Sequence, residues 1–326
     1  MKKFKQYYDK NNKVLLFLNF ESSSINDTFK SDQYYFEEVL NSLDIPAKNI
    51  VLEVKEDSVK SIESLKNFTC YYREKGFNIA IDDFGTGDSQ LDRLSIVKPD
   101  IVKIDKSLLM DIETNDINAA ILKAIANMCY KIGAIALSEG VENETEILKS
   151  LNFGVDLFQG YYFAHPSIDA PDKDDLYIKM QNVGYKHRHY LESTIKLKRK
   201  SFIKASNISK KIISMINVQD ISKNEEILEL VQSNKKVEAL YLIDIEESKQ
   251  VGNTLFMAEQ KGFYEPSVDG EDHSLKEYFY ICKDSKDGKF ISEKYISNAS
   301  GNVCRTFTQK FSYNSKELIL CIDLYL

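Results

Sequence analysis

Asp82 and Asp83 stand side by side in IAIDDFGTG (79–87), directly after the apolar run Ile79, Ala80, Ile81. That run reads as a strand buried on both faces, so the two carboxylates sit where the strand ends. An unpaired pair at such a place is costly, because desolvation and mutual repulsion both oppose ionisation. A metal ion or a lysine should hold them. Asn19, Glu53, Lys103, Glu139 and Gln159 fall at or near the ends of five further apolar runs. The set offers oxygen ligands and one lysine, with no histidine or cysteine. Mg²⁺, Mn²⁺ or Ca²⁺ fit such donors, whereas zinc usually recruits imidazole or thiolate. Adjacent Asp82 and Asp83 can reach two ions a few ångströms apart, as two-metal phosphoryl chemistry requires. Lys103 could position a hydroxide or stabilise charge on phosphate oxygens, and Glu139 could be a ligand or a base.

A structural reading competes with this one. Strand-end Asp residues cap helices, DDFGTG can be an Asx-type turn, and Lys103 can merely neutralise Asp82 or Asp105. Recurrence across six units favours the metal site, since independent caps need not alternate with carboxamides and a lysine.

The elements that must carry these residues are short. Apolar runs at LLFLNF (15–20), IVLEV (50–54), IAIDDF (79–84), IVKID (101–105), AIALSEG (134–140) and DLFQG (156–160) read as strands. Helical stripes lie between them: Ile62, Leu65, Phe68 and Tyr72 before Gly76, then Ile117, Ile121, Ala124, Met128 and Ile132 before Gly133. Strand and helix in alternation mean parallel βα units. In an open doubly wound sheet only the strands at the order reversal feed the ligand crevice, whereas every strand of a barrel does. Each unit supplies a polar residue, so the pattern predicts an α/β barrel of the TIM type.

The rest of the chain bounds the classes open to it. At 326 residues two domains are expected, and 43% apolar with 29% charged residues is an ordinary globular balance. A net charge of -7 gives no reason to expect DNA or RNA as a partner. VLLFLNF near the start is too short for a signal segment, and no stretch approaches a membrane span. The five cysteines show no CxxC pair. That predicts reduced packing residues in a cytoplasmic protein. After about residue 185 the rhythm changes to a basic helix (190–216), a second helix, then alternating β runs, an α+β module. The divisions expected are a barrel domain over 1–185, a helical connector over 186–236 and an α+β domain over 237–326.

Residues 14–166 resemble the EAL family of bacterial cyclic-di-GMP phosphodiesterase domains. DDFGTG at 82–87, KID at 103–105, EGVE at 139–142 and QGY at 159–161 carry the likeness, with LEVKE at 52–56, FLNF at 17–20 and YFAHP ending at Pro166. The resemblance implies a barrel with one reversed strand that uses Mg²⁺ or Mn²⁺ to linearise cyclic-di-GMP to pGpG. It implies that Asn19, Glu53, Asp82 and Asp83 bind metal and that Lys103 and Glu139 handle the attacking water. Glu56 would hold the loop after Asp83, and Gln159 would help order the site. The chain departs from the family at Asp88, Ser138 and Asn143. Only 18 residues precede Asn19, and none of them corresponds to the Glu-Ala-Leu segment. The expectation is therefore a barrel lacking its first strands, weak metal binding, and little or no turnover by this chain alone. Its open edges and the 190–216 helix suggest a homodimer. The C-terminal module resembles the PAS/Cache-like domain that follows EAL domains in some Gram-positive bacteria, with Lys276 where an arginine is frequent. It is expected to take a small-molecule ligand.

Overall fold

In the computed structural model each of the six apolar runs becomes a strand: β1 (Leu16–Phe20), β2 (Ile50–Lys55), β3 (Asn78–Phe84), β4 (Ile101–Ile104), β5 (Ile135–Glu139) and β6 (Leu157–Gln159). The structure describes residues 1–8, 14–20, 25, 31–55, 61–85, 91–167, 169, 171–216, 221–259 and 262–325. They divide into two units, Met1–Leu191 and Glu192–Leu326.

In the first unit the helices are α1 (Lys2–Tyr7), α2 (Ser31–Ser42), α3 (Ile62–Glu74), α4 (Leu91–Val97), α5 (Asp116–Ile132) and α6 (Glu144–Phe153), and α7 (Lys173–Met215) begins there. The starts of three helices are written in the sequence. Ser61 accepts from the Ser64 amide, Asn115 from the Asn118 amide, and Asn143 forms a reciprocal capping box with Glu146. All six strands are parallel and pair in chain order, β1 beside β2 through to β6. No reversal point exists along that path. The sheet is a curled half-barrel, as the strand-end pattern led us to expect.

The pleat sorts side chains onto the two faces with period two. Ile50, Leu52, Ile79, Ile81, Val102 and Ile104 point toward the helices and are buried there with Leu65, Phe68, Leu122 and Ile147. The opposite face carries a separate apolar layer of Phe17, Val51, Ala80, Ile101, Leu137 and Leu157. Two residues further along each strand stand Asn19, Glu53, Asp82, Lys103, Glu139 and Gln159. Six strands thus lay one polar layer on top of one apolar layer.

Two helix details differ from expectation. On α5 the residues Ile117, Ile121, Ala124 and Ile132 are exposed, and the packed face is Leu122, Ile125, Ala126 and Cys129. This helix is apolar around most of its circumference, so the period admits two stripes. The sheet takes the one whose small residues, Ala126 and Cys129, let the helix approach closely. On α3 the predicted Leu65, Phe68 and Tyr72 are buried, while Ile62 at the first position is exposed. Four cysteines are buried as expected of packing residues, but Cys70 is exposed. It lies two positions from both Phe68 and Tyr72, on the far side of α3.

The second unit contains the end of α7, then α8 (Glu225–Gln232) and α9 (Glu277–Asp284). Its strands are β7 (Val237–Asp244), β8 (Gln250–Phe256), β9 (Lys289–Ile291), β10 (Tyr295–Ile296), β11 (Val303–Tyr313) and β12 (Lys316–Tyr325). They form an antiparallel sheet in the order β10-β11-β12-β7-β8, with β9 also on β11. One face buries Leu240, Leu242, Phe307 and Leu320 with Ile212, Ile227 and Val231 from α7 and α8. The other buries Tyr241, Ile243, Ile319 and Cys321 with Phe279 and Cys282 of α9. Among the described residues no helix is long and apolar enough to cross a membrane.

Candidate metal centre

Four of the residues singled out by type and spacing converge. Lys103 Nζ lies 2.6 Å from Glu53 Oε1, 2.7 Å from Asp82 Oδ1 and 2.5 Å from Glu139 Oε1. They come from β2, β3, β4 and β5, neighbours in the sheet. Register explains the convergence: Ala80 pairs with Ile101, so Asp82 and Lys103 are level, while Glu53 pairs with Ala80 and Lys103 with Leu137. Each stagger of two residues along the curled sheet brings a different strand's polar residue onto one centre.

The group is nearly dry. The Lys103 side chain is 3% exposed, and those of Glu53 and Asp82 hardly more. Burial alone would lower the Lys103 ammonium, but hydrogen bonds to Asp82, Glu139 and Glu53 outweigh it and hold the group above the ordinary lysine value. Burial raises Glu53, against the pull of Lys103. Burial likewise pushes Glu139 up to about 7, with the charges of Asp82 and Glu53 adding to it and Lys103 opposing. Three carboxylates compete for one ammonium, which leaves two negative charges unbalanced when all are ionised. One oxygen from each of Glu53, Asp82 and Glu139 lies within 4.8 Å of the others. Oxygen donors, surplus negative charge and this spacing fit a divalent cation.

The other residues are not among the ion-pair partners of Lys103, though the Asp83 charge still raises Glu53. Asp83 has a left-handed φ of 56°, and the β3–β4 register shifts between Ile81 and Phe84. This turns its carboxylate to Lys55, whose Nζ lies 2.7 Å from Asp83 Oδ2. Asn19 is exposed, level with Glu53 on β1, and Gln159 is exposed, level with Glu139. Glu56 and Asp88 lie outside the described residues. Asp105 is taken by the turn after β4, where it accepts from the Ser107 amide. The Ser138 hydroxyl is buried without a hydrogen-bond partner among the described residues.

Sequence reasoning missed Lys55, which nothing but a charge two residues beyond Glu53 advertised. It also missed why Gly160 stands between Gln159 and Tyr161. An added Cβ there would overlap the backbone N and O of Val141. The Val141 amide donates to the Gln159 carbonyl at 3.1 Å, and the Tyr162 amide to the Val141 carbonyl at 3.0 Å. Gly160 lets the segment after β5, which carries Glu139, lock against the segment after β6.

A parallel sheet curled without reversal, bearing a carboxylate–lysine centre on its strand ends, defines a barrel-type α/β protein whose Glu53, Asp82 and Glu139 form a candidate oxygen-donor cation site. The EAL domain family matches residues 1–166, and the chain belongs to that family. Over 293 residues it is 26% identical to YkuI, an EAL-domain containing protein of Bacillus subtilis, covering 86% of this chain and 69% of YkuI. It is 33% identical over 141 residues to PdeN of Escherichia coli, a probable cyclic di-GMP phosphodiesterase, covering 43% of this chain and 26% of PdeN. The crystal structure of YkuI in complex with substrate c-di-GMP and calcium has the same fold, with a TM-score of 0.80 at 22% identity. That likeness covers 100% of this chain and 81% of the YkuI chain.

Proposed function

We propose that the chain binds cyclic-di-GMP at the strand ends of its first unit and retains a slow remnant of hydrolysis of one phosphodiester to give pGpG, with Mg²⁺ or Mn²⁺ as cofactor. The observation that carries this is the dry convergence of Glu53, Asp82 and Glu139 on Lys103. When bound, a divalent cation neutralises phosphate charge and supplies hydroxide near neutral pH. Glu53 and Asp82 would hold the cation, joined by Asn19 and, in exchange for its ion pair with Lys55, by Asp83. Lys103 keeps its proton and faces the charge that builds on the phosphate oxygens. Glu139, whose carboxyl burial raises to about 7, takes in its ionised form the proton of the attacking water, and the leaving ribose oxygen regains a proton from solvent. Gln159 and Glu56 order the rim. We place the protein in the cytoplasm as a homodimer, and read the second unit as a PAS/Cache-like module for a small ligand.

The test is pGpG formation from cyclic-di-GMP, followed by chromatography with Mn²⁺ present. Turnover that Asp82→Asn or Lys103→Ala abolishes supports the enzyme. A second reading, a cyclic-di-GMP receptor without turnover, is favoured by the Lys103 ammonium lying within ion-pair distance of all three carboxylates. Saturable binding of cyclic-di-GMP with no pGpG would select it.

A further inference from the structure

The second unit buries a carboxylate that its own side chains leave half satisfied. Asp323 on β12 is 4% exposed, and every hydrogen bond it receives falls on Oδ1. Thr306 Oγ1 donates at 2.6 Å, while the Tyr241 and Tyr295 hydroxyls lie at 3.4 and 3.5 Å with their single protons turned to Tyr278 and Thr306 Oγ1. Oδ2 takes none from a described residue. Asp323 has no ion-pair partner among the described residues, and neither has Glu238, fully buried nearby, whose Oε2 is also without a partner. A carboxylate so little exposed is costly to ionise unless a cation or water meets the oxygen it turns to the cleft.

The surroundings say which kind of cation. Asp323, Tyr241, His273, Tyr278 and Tyr295 line a cleft of about 50 Å³. A neighbouring cleft of about 320 Å³ shares Lys276, Tyr278 and Tyr295 with it. His273 supplies no positive charge: Gln250 uses its amide nitrogen on Gly252 and Ser267, so its oxygen faces His273 Nε2, which donates. Nδ1 is then the acceptor toward the Tyr278 hydroxyl, and burial holds the ring neutral. Tyr241 donates to Tyr278 at 2.8 Å and stacks on His273. A metal ion would want several hard anionic ligands. The only such group among the described residues is in the first unit. The carboxylates of Asp323, Glu265 and Glu271 outnumber the single Lys276 ammonium in the lining. With them, phenol oxygens with spare lone pairs and aromatic faces suit an ammonium group.

We propose that this cleft binds a small organic molecule through a protonated primary amine, which Asp323 Oδ2 and the hydroxyls of Tyr241, Tyr278 and Tyr295 receive. The remainder of the molecule lies in the adjoining cleft past Lys276. The proposal deepens the reading of the second unit as a ligand-binding module and is independent of the phosphodiesterase reading.

The experiment is calorimetric titration of the full chain at about pH 8, where Asp323 is ionised. The probes are n-propylammonium, the neutral isostere 1-propanol, and tetraethylammonium, which is too wide for the inner cleft. Saturable heat from n-propylammonium alone is the expected result. Asp323→Asn should weaken it by about thirtyfold or more, because one partner of a buried charge contact is gone. Tyr295→Phe, which keeps the shape of the cleft, should weaken it severalfold and stands in should Asp323→Asn not fold. Equal binding of 1-propanol overturns the amine assignment but leaves a ligand-binding module. Absence of heat from all three probes overturns both, and so does an unchanged response in the folded variants.

Discussion

Lys103 carries one positive charge into a centre where Glu53, Asp82 and Glu139 bring three negative ones, and almost no water reaches it. Removing the ammonium leaves mutually repelling carboxylates in a dry site. Lys103→Met is expected to cost the first unit about 3–5 kcal/mol in urea unfolding, the usual toll of breaking a buried charge set. Mg²⁺ or Mn²⁺ should restore much of that loss, because a divalent ion answers the same surplus. A variant as stable as wild type without added cation would show that the carboxylates are protonated and the account of the charges is wrong. Asp323 titrates under the opposite condition, with no ion-pair partner among the described residues. Burial pushes it up to about 7 from an ordinary 3.8, against the pull of its hydrogen bond from Thr306. Between those values the folded chain holds a proton that the unfolded chain releases, so stability falls as pH rises through the window. Above about pH 7 the penalty is complete, at most on the order of 4 kcal/mol. Asp323→Asn lacks it, so its melting temperature relative to wild type should climb from pH 4 to 7 and then level off. A difference independent of pH would contradict the burial argument.

At the scale of elements, the junction of β5 and β6 decides how well Glu139 is held. Gly160→Ala must push the Val141 backbone aside. Overpacking of this kind costs about 1–3 kcal/mol. Because Val141 follows Glu139 by two residues, Mn²⁺ affinity should fall along with stability. Loss of stability with unchanged Mn²⁺ titration would mean the junction does not position the centre. The strands and their polar ends were readable in the sequence, because an apolar run closed by a carboxylate, amide or lysine recurs six times. The caps at Ser61, Asn115 and Asn143 were equally plain. What could not be read arises from context. Asp83 looks like the twin of Asp82, but a left-handed φ and a register shift send it to Lys55. The stripe on α5 was ambiguous because both candidate faces are apolar. Asp323, in LCIDLYL, resembles any polar residue of an alternating strand, and its burial follows from α9 and the loops over that face.

At the scale of the whole molecule, each unit has its own hydrophobic clusters, one pair flanking the parallel sheet and one pair flanking the antiparallel sheet. Separate cores unfold separately when the surface joining them is modest. Differential scanning calorimetry of the full chain should show two transitions. Mn²⁺ should raise one of them, and the other should respond to Asp323→Asn. A single transition moved by both would show that the cores unfold as one cooperative block.

The alternation of layers on the parallel sheet also governs which genetic changes this chain can survive. Substitution at one strand end exchanges a single group and leaves the other five in place. Inserting or deleting one residue within a strand, ahead of its functional end, reverses every later side chain between helix side and site side. On β4 either slip would turn Lys103 among the helices, a deletion presenting Ile104 to the three carboxylates and an insertion Val102. A slip of two residues keeps inside and outside in order but sets the apolar layer at the level of the centre. The site should therefore tolerate a change of strand length less well than a change of one residue, and tolerate added length best in the loops.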